Sequence, residues 1–156
     1  MKHRTFQRRD FEEYHSWFTD SLLQETLGPL DDEWLNCVLA EDPPAQFSFF
    51  VDDQFVAVAG ISFPDQDNPY FVITDVAVHP GKRRLGFGAK AIQILQNIFI
   101  DPEFCQCPWL AYVELNNLGA QEFFTSLDWQ RDAEVQDGMY CFRFAVAKDF
   151  DSTAQL

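Results

Sequence analysis

The stretch Phe71–Ile100, FVITDVAVHPGKRRLGFGAKAIQILQNIFI, decides the fold. Residues 71–78 are mostly apolar and rich in β-branched types, the composition of a buried strand. Pro80 and Gly81 stop that strand, because proline has no amide to donate and glycine opens the backbone. A basic, glycine-punctuated turn follows, Lys82-Arg83-Arg84-Leu85-Gly86-Phe87-Gly88. Ala89, Ile92, Leu95, Ile98 and Phe99 then recur at helical spacing. The unit is strand, cationic glycine loop, helix. A helix N-terminus with unpaired amides is an anion site, and phosphate is the usual anion.

Two nucleotide patterns fail on this loop. Gly86-Phe87-Gly88-Ala89-Lys90-Ala91 matches the dinucleotide form G-x-G-x-x-G/A, but residues 79–85 separate the first glycine from the strand. No acidic residue ends a second strand about twenty positions on; the nearest, Asp101, stands before Pro102. The Walker pattern is absent, since no Gly-Lys-Ser/Thr occurs.

The 156 residues suit a single domain, residues 1–148, followed by a polar tail over 149–156. Hydrophobic residues make up 47% and phenylalanine alone contributes 17, so the chain can bury a core. No apolar run is long enough to span a membrane, and the basic start MKHRTFQRRD leads into no apolar segment, so the expected setting is the cytoplasm. Cys37, Cys105, Cys107 and Cys141 are expected to be reduced. Cys105-x-Cys107 lacks the ligands to complete a metal site, and none is expected.

A net charge of −14 argues against a nucleic-acid partner, which needs a basic face. It favours cationic ligands. Against that background, four of the eleven basic residues, Lys82, Arg83, Arg84 and Lys90, gather around the glycine loop. A positive pocket for a polyphosphate accounts for the clustering.

Elsewhere the chain alternates simply. Residues 3–8 suit a strand, and Asp10 suits the cap of a helix carrying Phe11, Tyr14, Trp17 and Phe18. Gly28-Pro29 breaks the pattern, and Asp31 or Asp32 caps a second helix with Trp34, Leu35, Val38 and Leu39. Residues 47–51 and 55–63 form a hairpin across Asp52-Asp53-Gln54. After the long helix come a strand over 109–115, a helix with Asn117 near its cap, and a hairpin of 130–135 with 139–147.

Arg83-Arg84-Leu85-Gly86-Phe87-Gly88, after Val76-Ala77-Val78-His79-Pro80, resembles the acyl-CoA-binding segment of the GNAT superfamily of N-acetyltransferases. A second run supports the resemblance: Asn117, Ala120, Phe123-Phe124 and Asp128-Trp129 keep the spacing of a family motif. There Phe124 replaces a tyrosine and Asp128-Trp129 replaces Gly-Phe. The resemblance covers most of residues 3–147. It implies an α+β acyl-CoA N-acyltransferase fold: a mixed, mostly antiparallel six- to seven-stranded sheet with helices on both faces.

The implied activity is direct acetyl transfer from acetyl-CoA to a primary amine of a small molecule or peptide, a cationic one being favoured by the charge. Backbone groups of Val76 and Val78, with Ala77 between, would pair with the pantetheine amides. Residues 83–88 with Ala89 and Lys90 would hold the pyrophosphate, Arg83 and Arg84 adding charge. Asn117 reads either as a helix cap or as a pantetheine partner, and Phe123 and Phe124 as packing beside the thioester. Asp75 and Glu114 are the candidate bases, with Tyr140 and Tyr112 as candidate acids. Asp75 shares strand parity with Ile73 and Ala77. His79 reads as an exposed turn residue. The rival reading is a CoA- or acyl-CoA-binding module without turnover, since Phe124 cannot donate a proton to sulfur. A homodimer through exposed aromatic strands is a further expectation.

Overall fold

The computed structural model describes residues 1–100 and 107–145. Its strands are β1 (Lys2–Thr5), β2 (Gln46–Val51), β3 (Gln54–Ser62), β4 (Phe71–Val78), β5 (Trp109–Glu114), β6 (Gln130–Gln136) and β7 (Met139–Phe144). Its helices are α1 (Phe11–Ser16), α2 (Ser21–Leu27), α3 (Asp32–Ala40), α4 (Phe87–Ile98) and α5 (Leu118–Ser126). Cys105 and the tail over 149–156 lie outside the described residues.

One seven-stranded sheet runs in the order β1-β2-β3-β4-β5-β7-β6. Every neighbouring pair is antiparallel except β4 and β5, which run parallel because α4 carries the chain across. The architecture is therefore α+β, with a mixed and mostly antiparallel sheet. At the β2–β3 turn Asp52 and Asp53 both take positive φ, 49° and 60°, the backbone that a two-residue hairpin demands.

The sheet separates two cores. One packs α4 and α5 through Ile92, Leu95 and Phe124 against Phe49, Ile73 and Phe142. The other packs α1–α3 through Tyr14, Trp17, Leu23 and Leu35 against Phe55, Val58 and Ala77. Helices thus cover both faces. The strand aromatics that suggested a dimer are consumed by these cores; Tyr112 alone among the described aromatics is exposed.

Four local expectations need correction. The pattern from Phe11 to Phe18 does not continue as one helix. A 3-10 turn, Trp17–Thr19, interrupts it, and Asp20 starts α2 by accepting from the Leu23 amide at 3.2 Å. Asp10 does not cap α1 with its side chain. Its buried carboxylate takes both guanidinium nitrogens of Arg4 at 2.6 and 2.7 Å, the Gln7 amide at 2.9 Å and the Ser48 hydroxyl at 3.0 Å. Burial pushes the Asp10 carboxyl up, but these donors together hold it below the usual value. Strand β1 also ends at Thr5 rather than Arg8, where a 3-10 turn begins.

The fourth correction matters for the site. Gly60 pairs with Asp75 but Ile61 pairs with Ile73, so β4 carries one extra residue, Thr74. A bulge of one residue reverses which face each later side chain meets. Phe71 and Ile73 enter the α4–α5 core, yet Ala77 enters the α1–α3 core, and Val76 and Val78 turn to the α4–α5 side. Asp75 keeps company with Ala77 but not with Ile73.

Candidate active site

Parallel pairing of β4 with β5 covers only Phe71–Trp109, Val72–Leu110 and Ile73–Ala111. Beyond Ile73 the two strands part, and the second half of β4 has β3 on one side and open space on the other. The His79 amide donates to the Val56 carbonyl of β3 at 2.9 Å. Alternate residues of a strand direct their backbone groups to the same side. Ala77 therefore also turns toward β3, while Val76 and Val78 present their amides and carbonyls to the gap. Ala77 drops out of the open edge; its side chain is buried among the helices.

The strand leads into the cationic loop through a 3-10 turn, Pro80–Lys82, whose Gly81 amide donates to His79 Nδ1 at 3.0 Å. That curl leaves His79 half-buried, its ring 5.2 Å from Trp17, rather than exposed in a turn. Arg84 (φ 61°) and Gly86 (φ 79°) both adopt the left-handed backbone. Gly86 stands at the N-cap of α4 with no side chain to offer, so the amides of Phe87, Gly88 and Ala89 are left for an external acceptor. The first α4 bond is Lys90 N–H to the Gly86 carbonyl at 3.0 Å. A Cβ on Gly88 would lie 3.3 Å from both Val78 and Phe123, so only glycine lets β4, α4 and α5 approach this closely.

The loop cations are not equivalent. Arg83 donates to both oxygens of Asp20 at 3.0 and 2.6 Å, clamping the loop to the N-cap of α2. The Arg83 hydrogen bond, with help from α2 amides, holds the Asp20 carboxyl below its usual value. Lys82 donates to Gln54 at 2.5 Å. Arg84 is exposed, and Lys90 donates to Gln93 at 3.3 Å. Arg83, expected to add charge at the loop, already has a carboxylate partner 63 positions away.

Asn117 caps α5, accepting from the Ala120 amide at 3.1 Å. Phe123 faces Gly88 and Val78, whereas Phe124 is 6% exposed and packs on Trp129 and Phe142. Phe124 thus belongs to the core, and of the two rings Phe123 is the one beside the open edge. Asp128 takes the left-handed φ of 63° that glycine would favour, and the Trp129 amide closes the helix on the Phe124 carbonyl at 3.1 Å.

On the other face, Asp75 borders a cavity of ≈ 290 Å³ shared with Tyr14, Leu27, Leu30, Trp34 and Thr74. Gln46 Nε2 donates to Asp75 Oδ2 at 2.6 Å and the Thr74 hydroxyl to Oδ1 at 2.9 Å. Burial pushes the Asp75 carboxyl up, and these two donors offset that only in part. Gly60 makes the arrangement possible, since a Cβ there would collide with Asp75, Gln46 and Thr74. The Tyr14 hydroxyl is pushed up by burial and by the Asp75 charge. Tyr14, Gln46 and Gly60 were not singled out for the site from the sequence; no local pattern marks side chains that meet only across a sheet.

The remaining candidates lie apart. Glu114 borders a separate, open concavity of ≈ 390 Å³ with Leu115, Asn116 and the β6–β7 turn. Tyr140 stands on β7 opposite Val113, with the Arg131 guanidinium 4.4 Å above its ring. Tyr112 is exposed on β5, its hydroxyl raised by burial and by the neighbouring Cys141 and Tyr70.

No curated protein sequence matches this chain. Among solved structures it is similar to the ribosomal-protein-S18-alanine N-acetyltransferase of Escherichia coli, at 12% identity, TM-score 0.67 and 97% of each chain. The PaiA N-acetyltransferase of Thermoplasma acidophilum, solved with coenzyme A, gives a TM-score of 0.70 at 10% identity, over 92% of this chain and 98% of that one. The GNAT domain of S. lividans PAT gives 0.72 at 12% identity, over 92% and 89%. At such identities these likenesses speak for the fold. The Acetyltransferase (GNAT) family model matches residues 8–129, and the chain belongs to that family.

Proposed function

We propose that this protein transfers the acetyl group of acetyl-CoA directly to a primary amine of a small molecule or peptide. One observation carries the reading. The open edge of β4 runs straight into an uncapped, cationic helix N-terminus on one face, and a half-buried carboxylate borders a cavity on the other.

Val76 and Val78 offer the amides and carbonyls that an added strand would use, matching the two amides of pantetheine. The backbone of Leu85, Gly86 and Phe87, with the amides of Gly88 and Ala89, offers the pyrophosphate a cradle at the helix N-terminus. Arg84 and Lys90 supply charge, while Arg83 steadies the loop through Asp20. Phe123 walls the thioester end. The Asn117 carbonyl is used in capping, which leaves its amide nitrogen for a pantetheine oxygen.

Asp75 is the preferred base, because it lies on the face of the acceptor cavity and its raised carboxyl binds a proton more readily than an ordinary aspartate. It takes the proton released as the amine nitrogen bonds to the acetyl carbonyl carbon and the carbon–sulfur bond breaks. The electron pair leaves on sulfur, and a CoA thiolate, with a pKa of about 8.5 by analogy with cysteine, takes its proton from water. The Val78 amide offers the developing oxyanion a donor. Residues 1–148 acting as one domain, in the cytoplasm, belong to the same proposal; the unpaired Cys37, Cys107 and Cys141 suit that setting.

Calorimetric titration with acetyl-CoA, followed by an amine screen for released thiol, tests this reading. Micromolar binding weakened in Arg84→Ala, with thiol release dependent on added amine, is expected. Binding without release from any amine would favour the CoA-binding module, to which the buried Phe124 lends support by leaving no proton donor at its position. No binding by the folded protein would remove both.

A further inference from the structure

The cationic loop is held at two anchors, and only one of them is an ion pair. Arg83 is clamped to Asp20. Four positions earlier, His79 closes the first turn of the loop with its side chain. Its Nδ1 accepts from the Gly81 amide at 3.0 Å, and its carbonyl accepts from the Lys82 amide at 2.8 Å. Its own amide ties it to β3 through the Val56 carbonyl at 2.9 Å. The half-buried ring lies against Trp17, which is itself 2% exposed. A Cβ on Gly81 would stand 3.3 Å from His79 Cε1, so glycine is what lets the imidazole sit over its own turn.

This geometry dictates a protonation state. A backbone N–H can only donate, so Nδ1 must present its lone pair to Gly81, and the single proton of the ring sits on Nε2. An imidazolium carries N–H on both nitrogens. Its Nδ1–H would oppose the Gly81 N–H, and the bond that shapes the turn would be lost. Histidine is the side chain that makes this change between about pH 5 and 8. Its neighbours do not make it in its place. Trp17 and, from β3, Val56 do not titrate. In the loop, Lys82 is held by Gln54 and Arg83 by Asp20, whose carboxyl stays charged because it is held below its usual value. Asp75, four residues back on β4, is held by Gln46 and Thr74.

We propose that His79 is a positioning residue for the anion loop: neutral, it holds the turn that aims the α4 amides, and protonated, it lets that turn go, so acetyl-CoA binding weakens in acid. The ligand named here rests on the acyl-CoA reading above; the hold on the turn does not. Once released, residues 80–82 must be ordered again when a phosphate binds, and that ordering is subtracted from the affinity.

The test is calorimetric titration with acetyl-CoA at about pH 8 and about pH 5.5, on the wild type, His79→Asn and His79→Ala. An asparagine side-chain oxygen accepts from the amide two residues on, as Nδ1 does, and carries no titrating proton. The phosphate monoester of CoA itself titrates near about pH 6, so the asparagine variant sets the baseline. Beyond that baseline the wild type should lose about fivefold in affinity on acidification, the worth of one hydrogen bond. At about pH 8, His79→Ala should bind about fivefold more weakly than the wild type, and His79→Asn should recover the loss. A wild type that follows His79→Asn across the range, or gains affinity on it in acid, would overturn the proposal. NMR of the ligand-free wild type is the second arm and needs no variant to fold. The ring proton should sit on Nε2 at about pH 8, and the Gly81 amide proton should move upfield as His79 titrates. A proton on Nδ1, or a Gly81 amide that does not move upfield, would overturn it as well. No acetyl-CoA binding at about pH 8, with the Gly81 response intact, would instead remove the acyl-CoA reading and leave the turn's dependence on His79 standing.

Discussion

On one wall of the cleft, Val76, Val78 and the first turn of α4 present backbone amides, with glycines to let a ligand close in. On the other, Tyr14, Trp34 and Asp75 present side chains, brought from a helix, a second helix and a strand. The first wall is local: residues 76–90 make nearly all of it. The second depends on contacts 29 positions apart, such as Gln46 to Asp75. A backbone site recognises what every donor of one class shares, whereas a side-chain site distinguishes one acceptor from another. The first was written as a motif and the second was not.

Breaking the acceptor wall at its carboxylate should have the largest effect. Asp75→Asn is expected to lower kcat/KM by about 10²–10⁴ while acetyl-CoA affinity stays unchanged. The acid limb of the wild-type rate profile should lie above the ordinary carboxylate range, following the raised Asp75, and vanish in the variant. The stability sign is opposite. A raised folded pKa makes a contribution present below the unfolded value and lost as pH rises through the folded one. Above its folded pKa the wild type bears a charge that its site disfavours, and thermal unfolding there should find Asp75→Asn at least as stable. A clear drop in Tm would mean that the carboxylate is structural.

Next comes Gly60→Ala, which drives a methyl into Asp75, Gln46 and Thr74 and should destabilise by about 1–3 kcal/mol in urea unfolding. Normal stability would show that the polar cluster can move aside, and the acceptor wall would then be soft rather than fixed.

The cationic wall is sharpened by separating its two arginines. Arg84→Ala should weaken acetyl-CoA binding about tenfold, the loss of one charge-assisted contact, with little change in unfolding. Arg83→Ala should act through α2 instead. It and Asp20→Ala should each cost under about 1 kcal/mol, given the partial exposure of both groups, and the double variant should cost no more than either. If Arg83→Ala weakened acetyl-CoA as much as Arg84→Ala, and Asp20→Ala did not, Arg83 would be returned to the phosphates.

Much of the fold was legible. The strand over 71–78, the long helix, the Asp52-Asp53 turn and the Asn117 cap all follow from local propensity, and each stands where the pattern puts it. The glycine loop was legible because what it offers a ligand lies in amides, glycines and a helix end, which are sequence-local features. The break between α1 and α2 was not, because Tyr14, Trp17 and Phe18 satisfy the same core whether or not the helix continues. Nor was the standing of Phe124. Helical spacing places Phe123 and Phe124 side by side, and packing against Trp129 and Phe142 decides which one is core.

By itself, then, the sequence determined the strand–loop–helix unit, the order of elements and the separation of charge between an acidic helical layer and a basic loop. These depend on residue type and short spacing. Only the tertiary structure decided that Thr74 is an extra residue in β4, that Asp75 therefore faces the cavity beside Tyr14 and Trp34, and that Arg83 pairs with Asp20. A bulge is set by the register of a neighbouring strand and an ion pair by the approach of a distant helix, and neither is encoded within reach of the residues it governs.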